Sequence, residues 1–207
     1  MALILTVLFI FLLLVSSELW WRKKRPNDEF SRKFIHIFVG SFVALWPFYI
    51  SWNWILVLSA AFLIVISLSK YFNIFQAIHA VERPTWGEVF FAVAVGGLVF
   101  ITREPWIYAA ALLHMSLADG FAAVVGVTWG KSTNYKIFRH TKSIVGSATF
   151  FVVSLAILAG YSYVSGQTLQ PGMIVGLAML TTAIENVGIG GLDNLFVPLV
   201  VGVVLVQ

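Results

Sequence analysis

Three acidic side chains stand where the surrounding sequence is apolar or glycine-rich: Asp119, Glu185 and Asp193. Placing an ionisable residue inside an apolar segment costs at least about 2.5–3.5 kcal/mol on membrane-insertion scales, so such a residue marks a functional position by default. Glu185 ends one apolar run and Asp193 begins the next, across a glycine-rich turn at 188–191. Carboxylates around such a turn suit a hard cation such as Mg²⁺, which takes oxygen ligands and keeps the phosphates of its nucleotide.

Structural roles for these acids stay open beside the chemical ones. Asp119, Gly126 and Gly130 share one helix face. Small residues on one face are also typical of a helix packing surface. In that case Asp119 would be neutralised by His114 or by a lysine. Asp193 is also the residue type that caps a helix after a turn.

Cationic and hydroxyl side chains suitable for phosphate lie at the start of a later apolar run. Lys142 and Ser143 open this run, and Gly146 and Ser147 follow one turn later. Free backbone N–H groups at a helix N-terminus bind anions, so we predict a phosphate site there, with Lys131 in the preceding loop adding charge. A capped helix with one topogenic lysine is the alternative.

Two weaker patches precede other apolar runs, and anchoring at the membrane surface explains them as well as chemistry does. The first contains Arg32, Lys33 and His36, and the second covers residues 82–88.

The elements that must position these residues are membrane helices. The 207-residue chain is 60% hydrophobic and 11% charged, with a mean hydropathy of +0.94, whereas soluble domains carry about 25% charged residues. The absence of cysteine excludes a disulfide scaffold. We predict an all-α, polytopic integral membrane protein with seven to eight transmembrane helices in a single domain, 1–207. The apolar runs lie at 2–21, 33–48, 52–69, 87–101, 106–128, 143–162, 171–186 and 193–207.

The basic residues orient these helices. The first run has no basic residue before it and the cluster Arg22–Arg25 after it, which favours an anchor over a signal peptide. With that cluster in the cytoplasm, alternation places 12 of the 13 lysines and arginines inside and only Arg103 outside. The basic charge is therefore topogenic, and it argues against a nucleic-acid partner.

All candidate patches then face the cytoplasm, which contains nucleoside triphosphates and Mg²⁺. Acids for a metal and lysines for phosphates make phosphoryl or nucleotidyl transfer the natural chemistry, because such transfer depends mainly on positioning and charge neutralisation. An acceptor beside a membrane-embedded Asp119 is expected to be a lipid.

In these motifs the chain resembles the CTP-dependent lipid kinases (polyprenol, dolichol, phytol and diacylglycerol kinases), a family related to phosphatidate cytidylyltransferase. The resemblance rests on Arg32-Lys33-x-x-His36, Asp119-Gly120-x-Ala122, Gly126 and Gly130, Lys142-Ser143-x-x-Gly146-Ser147, Glu185, Asp193-Asn194 and Pro198.

The resemblance implies a membrane enzyme that uses CTP and Mg²⁺ to phosphorylate a long-chain lipid alcohol, in the cell membrane or the endoplasmic reticulum. It makes Asp119 and Asp193 the metal-binding or catalytic acids, gives the phosphates to Lys142 and Ser143, and makes Glu185 a support for the metal or the base. The wider nucleotide-binding set that we predict adds Lys33, His36, Gly126, Gly130, Lys131, Gly146 and Ser147. The expected partners are a nucleoside triphosphate, a lipid alcohol and the bilayer, and a homodimer is compatible with the sequence.

Two other functions stay open. A cytidylyltransferase typically has a His-Gly-Gly segment followed by Asp-Arg, where this chain has Gly190-Gly191-Leu192-Asp193-Asn194, a difference that favours a kinase. A small transporter would use Asp119 as its coupling site.

Overall fold

Helices joined by short turns make up most of the computed structural model, which describes residues 2–24, 28–72, 86–138 and 140–207. In chain order they are α1 (Ala2–Lys24), α2 (Asp28–Ala44), α3 (Trp52–Phe72), α4 (Gly87–Ile101), α5 (Pro105–Leu113), α6 (Asp119–Trp129), α7 (Ile144–Ser165), α8 (Pro171–Val187) and α9 (Asp193–Val206), with short 3₁₀ turns at Trp46–Phe48 and Lys131–Thr133. The predicted helical class is confirmed.

One small sheet departs from the predicted all-α class. Strands β1 (Asn134–Ile137) and β2 (His140–Ser143) pair antiparallel, with Tyr135 opposite Lys142. The hairpin joins α6 to α7, so Lys142 and Ser143 lie on a strand that leads directly into α7 rather than inside a helical span.

A π-helical turn, His114–Ala118, connects α5 to α6, and the three segments form one helix over Pro105–Trp129. A π turn contains one more residue than an α turn, so it offsets the face of α6 from that of α5; such turns occur frequently at functional sites. Asp119 is the first residue after it.

Glycines allow the helices around Asp119 to approach closely. A Cβ atom at Gly120 would collide with the side chain of Ile37 on α2, and one at Gly126 would lie 3.4 Å from Cα of Gly146 on α7. The backbone of the central helix Pro105–Trp129 therefore lies in close contact with both α2 and α7. Its buried side chains, including Tyr108 and Leu112, form the core with those of α4 and α9.

Within the described residues, fewer helices qualify as membrane spans by length and composition than the predicted seven to eight. Among the described residues, three helical segments are long and apolar enough to cross a bilayer: Trp52–Ser69, Pro105–Trp129 and Ile144–Ser165. The apolar helices α4, α8 and α9 have 15, 17 and 14 residues. At a rise of about 1.5 Å per residue, these are shorter than the hydrocarbon core of about 30 Å. The apolar runs at 87–101, 171–186 and 193–207 do form helices, but these helices are too short to count as spans by length.

Candidate active site

A buried ion pair links α2 to α6. The Lys33 Nζ atom donates to Oδ2 of Asp119 at 2.5 Å, and only 8% of Lys33 and 5% of Asp119 are exposed. His36, one turn after Lys33, places its Nε2 atom 3.6 Å from the same carboxylate oxygen and 2.9 Å from the carbonyl oxygen of Met115. The charge of Asp119 is therefore balanced by a lysine, one of the two partners that the sequence left open.

The other predicted partner, His114, points elsewhere. Its Nδ1 atom donates to the carbonyl oxygen of Ala110 at 2.7 Å within the same helix, and the side chain is fully buried.

A second ion pair links β2 to the end of α8. The Lys142 Nζ atom donates to the carboxylate of Glu185 and, at 3.1 Å, to the main-chain carbonyl oxygen of the same residue. Burial by itself would lower the pKa of Lys142, but the nearby carboxylates, Glu185 foremost, outweigh it and raise that pKa above its ordinary value. Lys142 is therefore a permanent cation in the site.

Asp193 joins the two pairs into one electrostatic cluster. Its carboxylate interacts with the charges of Asp119, Lys33 and Lys142, and the charges of Lys142 and Glu185 also act on Asp119. No ion pair connects Asp193 to another residue of the described ranges. With His36 neutral, the two lysines and three carboxylates carry a formal charge of −1.

The turn before α9 brings Asp193 into this position. A Cβ atom at Gly188 would lie 2.7 Å from Cβ of Asp193. Gly190 has a φ of 64°, a backbone conformation that residues other than glycine rarely adopt. Asp193 is the first residue of α9 and not its cap, since the cap position is Leu192. The glycine-rich turn therefore directs the carboxylate towards the cluster.

A hydrogen-bond triangle borders the cluster on the hairpin side. The hydroxyl of Tyr135 lies 2.6 Å from that of Ser147, and Oδ1 of Asn186 lies 2.7 Å from the Tyr135 hydroxyl and 2.8 Å from the Ser147 hydroxyl. Each hydroxyl has one proton to donate, so two of these three contacts are hydrogen bonds at any one time. Asn186 follows Glu185 directly, so the triangle fixes the end of α8 against β1 and α7. The sequence predicted Ser147 but missed Tyr135 and Asn186.

The remaining predicted residues lie at or near the contact between α6 and α7. The Ser143 hydroxyl accepts from the Gly146 N–H group at 3.0 Å, which makes Ser143 the cap of α7. A Cβ atom at Gly126 or Gly130 would lie within 2.9 Å of that hydroxyl oxygen. Ser143 and these glycines therefore have a packing role here. Lys131 is exposed and forms no ion pair with any other residue whose placement is described.

Two predicted patches lie only partly within the described residues. The side chain of Arg32 and residues 82–85 lie outside the described residues. Asn194, another residue of the predicted motifs, lies within the described residues. Its Nδ2 atom donates to the carbonyl oxygen of Gly87 at 3.1 Å and ties α9 to the start of α4.

The acids fit Mg²⁺ only in combination with a substrate. Within the part of the chain that is described, no three histidine or acidic side chains are grouped as a metal site. Mg²⁺ is commonly bound by one or two carboxylates together with substrate phosphates and water. Asp119 and Asp193, which interact electrostatically, are suitable as such a pair.

Comparison with known proteins adds an independent line of evidence. No family model matches the chain, and no solved structure matches it significantly. A curated protein from Synechocystis sp. named phytol kinase is 31% identical over 192 residues, which cover 89% of this chain and 82% of that protein. The similarity extends over nearly the whole length of this chain. The chain therefore belongs to the phytol kinase family of lipid kinases.

Proposed function

We propose that the protein is a CTP-dependent kinase that phosphorylates a long-chain lipid alcohol such as phytol, with Mg²⁺, at the cytoplasmic face of the membrane. The observation that carries the proposal is the charged cluster, in which α2, α6, β2, α8 and α9 each contribute an ionisable side chain. The similarity to phytol kinase supports a lipid alcohol as the acceptor.

The lysines supply positive charge for the phosphates while they hold the cluster together. An ammonium group has three N–H donors, and Lys142 uses two of them on Glu185. Lys142 therefore has a donor left for a phosphate oxygen, and Lys33 has two beyond its bond to Asp119. The formal charge of −1 on the cluster favours a nucleotide that arrives with a divalent cation.

The carboxylates complete the proposed reaction. Bound Mg²⁺ would neutralise charge on the phosphate oxygens, and Asp119 and Asp193 are the residues that would hold it. The lipid hydroxyl oxygen forms a bond to the γ-phosphorus while the bond between that phosphorus and the β,γ-bridging oxygen breaks, releasing CDP. The hydroxyl proton passes to a carboxylate of the cluster, either Asp119 or Glu185. Little further covalent chemistry is needed, since phosphoryl transfer depends largely on positioning and electrostatic stabilisation.

The position of the transferred phosphorus separates this function from its alternatives. Purified protein in mixed micelles is incubated with phytol, Mg²⁺ and CTP that is labelled at either the α- or the γ-phosphorus. We expect label from the γ position in the lipid and an equal amount of CDP. Label from the α position in the lipid, with pyrophosphate released, would establish nucleotidyl transfer instead.

Two further arms define the donor and the acceptor. Replacing CTP by ATP tests the nucleotide, and a panel of phytol, polyprenols and diacylglycerol tests the alcohol. Absence of labelled lipid in every arm, together with uptake of an ion or solute into proteoliposomes without nucleotide, would support a transporter.

A further inference from the structure

We propose that an apolar cavity between α1, α2, α3 and α4 holds the hydrocarbon tail of the lipid alcohol, with the hydroxyl end directed towards Asp119. This inference rests on the proposed kinase function and adds to it a location for the acceptor.

The cavity has the size and lining of a hydrocarbon site. Its volume is about 320 Å³, at the lower end of the range of about 300–1,000 Å³ that ligand pockets occupy. Apart from Ser59 and Trp46, its lining side chains are hydrocarbon. The Ser59 hydroxyl already donates to the carbonyl oxygen of Ala92 at 2.8 Å. No charged side chain lines the cavity, so it suits a tail and not a headgroup.

One face of α2 connects the cavity to the charged cluster. Val39 and Val43 of α2 line the cavity, as does Trp46 in the 3₁₀ turn that follows, and His36 precedes Val39 by one turn on the same face. At a rise of about 1.5 Å per residue, this face of α2 extends about 10 Å from His36 to Val43. A chain lying along it would therefore begin at the cluster and run away from it.

Phe91 forms the wall between the two sites. It lines the cavity, and its ring packs edge-on against the ring of His36 with the centroids 5.5 Å apart. His36 in turn lies 3.6 Å from the carboxylate of Asp119. Phe91 and His36 thus lie in series between the cavity and the acid, and an alcohol with its tail in the cavity would have its hydroxyl at the His36 end of this contact.

The cavity also opens where a membrane lipid could enter. Several lining residues on α1 and α3 are exposed, among them Phe11 (56% exposed) and Val65 (41%). A lipid alcohol could therefore slide in sideways from the bilayer. An acyl chain of an ordinary phospholipid is the competing occupant, and the experiments below distinguish the two.

Adjacent residues on α3 provide matched variants. Ala61 and Val65 line the cavity, whereas Ala60 and Ile64 do not, and all four are exposed. Ala61→Phe with Val65→Phe would fill part of the cavity, and Ala60→Phe with Ile64→Phe adds the same kind of bulk outside it. The readout is kcat/KM for phytol relative to kcat/KM for a ten-carbon isoprenoid alcohol.

We expect the cavity-filling pair to lower this ratio at least about tenfold, which corresponds to the loss of about two buried methylene groups. The KM for CTP should not change, and the control pair should keep the wild-type ratio. A wild-type ratio in the cavity-filling pair, with phytol still phosphorylated, would overturn the inference and leave the kinase function standing. Wild-type protein that phosphorylates no alcohol would instead refute the proposed function.

A binding measurement decides the matter without turnover. Phytol with a photoreactive diazirine near the end of its tail is cross-linked to the wild-type protein, and the labelled peptides are identified by mass spectrometry. Labelling of the peptides that contain Phe11 and Phe62, competed by phytol but not by phosphatidylcholine, would support the inference. Labelling elsewhere, or equal competition by the phospholipid, would overturn it.

Discussion

At the scale of single residues, the Lys33–Asp119 pair has two functions that can be separated. It neutralises a carboxylate in the middle of an apolar helix, and it holds that carboxylate in the charged cluster. Removing one partner of a buried ion pair leaves an uncompensated charge and typically costs about 3–5 kcal/mol of stability, whereas removing both costs much less.

Lys33→Met is accordingly expected to lower both the thermal unfolding temperature in detergent and the kinase rate. Combining it with Asp119→Asn should restore most of the stability and none of the activity. Lys131→Met, which removes an exposed lysine, serves as the control and should leave the unfolding temperature unchanged. A double variant that regains activity would show that the pair is purely structural.

Tyr135 is a positioning residue, because its hydroxyl contacts the Ser147 hydroxyl and the Asn186 side chain, next to Glu185 at the end of α8. Tyr135→Phe removes this hydroxyl and with it at most two hydrogen bonds, each with a net value of about 0.5–1.5 kcal/mol. We expect the KM for CTP to rise about three- to tenfold while kcat changes less, since the end of α8 loses its fixed position. Steady-state kinetics check this.

Tyr163→Phe is the matched control for that experiment, because Tyr163 is 89% exposed. An equal effect of the two substitutions would contradict the positioning role of Tyr135.

A site residue can be predicted from the sequence when its polarity differs from that of its neighbours. Asp119, Glu185, Lys142 and Asp193 are conspicuous as polar groups beside apolar runs, and the structure places them in one cluster. Tyr135 has no such contrast, because it lies in a polar loop whose four-residue strands are too short to show periodicity. The sequence left a lysine open as the partner of Asp119 but did not identify Lys33, because the two residues are 86 positions apart.

At the scale of elements, close helix contacts set the distances between the charges. Gly120 lies immediately after Asp119, and any side chain there would collide with Ile37 on the helix that carries Lys33 and His36. The separation of α2 from α6 therefore determines whether the lysine reaches the acid.

Gly120→Ala is expected to destabilise the protein by about 1–3 kcal/mol, which is typical of overpacking, and to reduce activity by separating Lys33 from Asp119. Gly160→Ala on α7 is the control, because nothing lies within 4 Å of a Cβ atom there, and it should be neutral or slightly stabilising. Unfolding temperature and kinase rate are measured for both variants. Equal stability of the two would show that α2 and α6 tolerate a wider spacing.

Hydropathy predicted the positions of the helices better than their relation to the membrane. The run at 87–101 coincides with α4, and that at 171–186 falls one residue short of α8. Apolar character alone does not show that a helix spans the bilayer, because a helix packed inside a protein is equally apolar. The π turn at His114–Ala118 has no sequence signature comparable to a cap or a proline.

At the scale of the whole molecule, charge asymmetry predicts the orientation. Lysine and arginine are absent after Lys142, whereas Lys131, Lys136 and Lys142 cluster before α7. Cytoplasmic loops carry an excess of such residues, so the start of α7 and the charged cluster should face the cytoplasm and the end of α7 the opposite side.

The lack of native cysteines allows a direct test of this orientation. Ser132→Cys and Thr168→Cys each introduce a single thiol at an exposed position, before and after α7 respectively. In right-side-out vesicles, a membrane-impermeant maleimide should label the variant at position 168 and not that at 132, and inverted vesicles should give the reverse. Labelling of both from one side would contradict a spanning α7.

A double-variant kinetic cycle shows whether acids from distant helices act as one catalytic unit. Transfer of the γ-phosphate from CTP to phytol is measured for the wild type, Asp119→Asn, Asp193→Asn and the double variant. Groups that act as a unit have strongly non-additive effects. We predict a loss of at least about 10²-fold for each single variant and a double variant no slower than the slower single one. A double variant whose loss of activity equals the product of the two single losses would show that the two acids act independently. A single variant with wild-type activity would show that its acid is not catalytic.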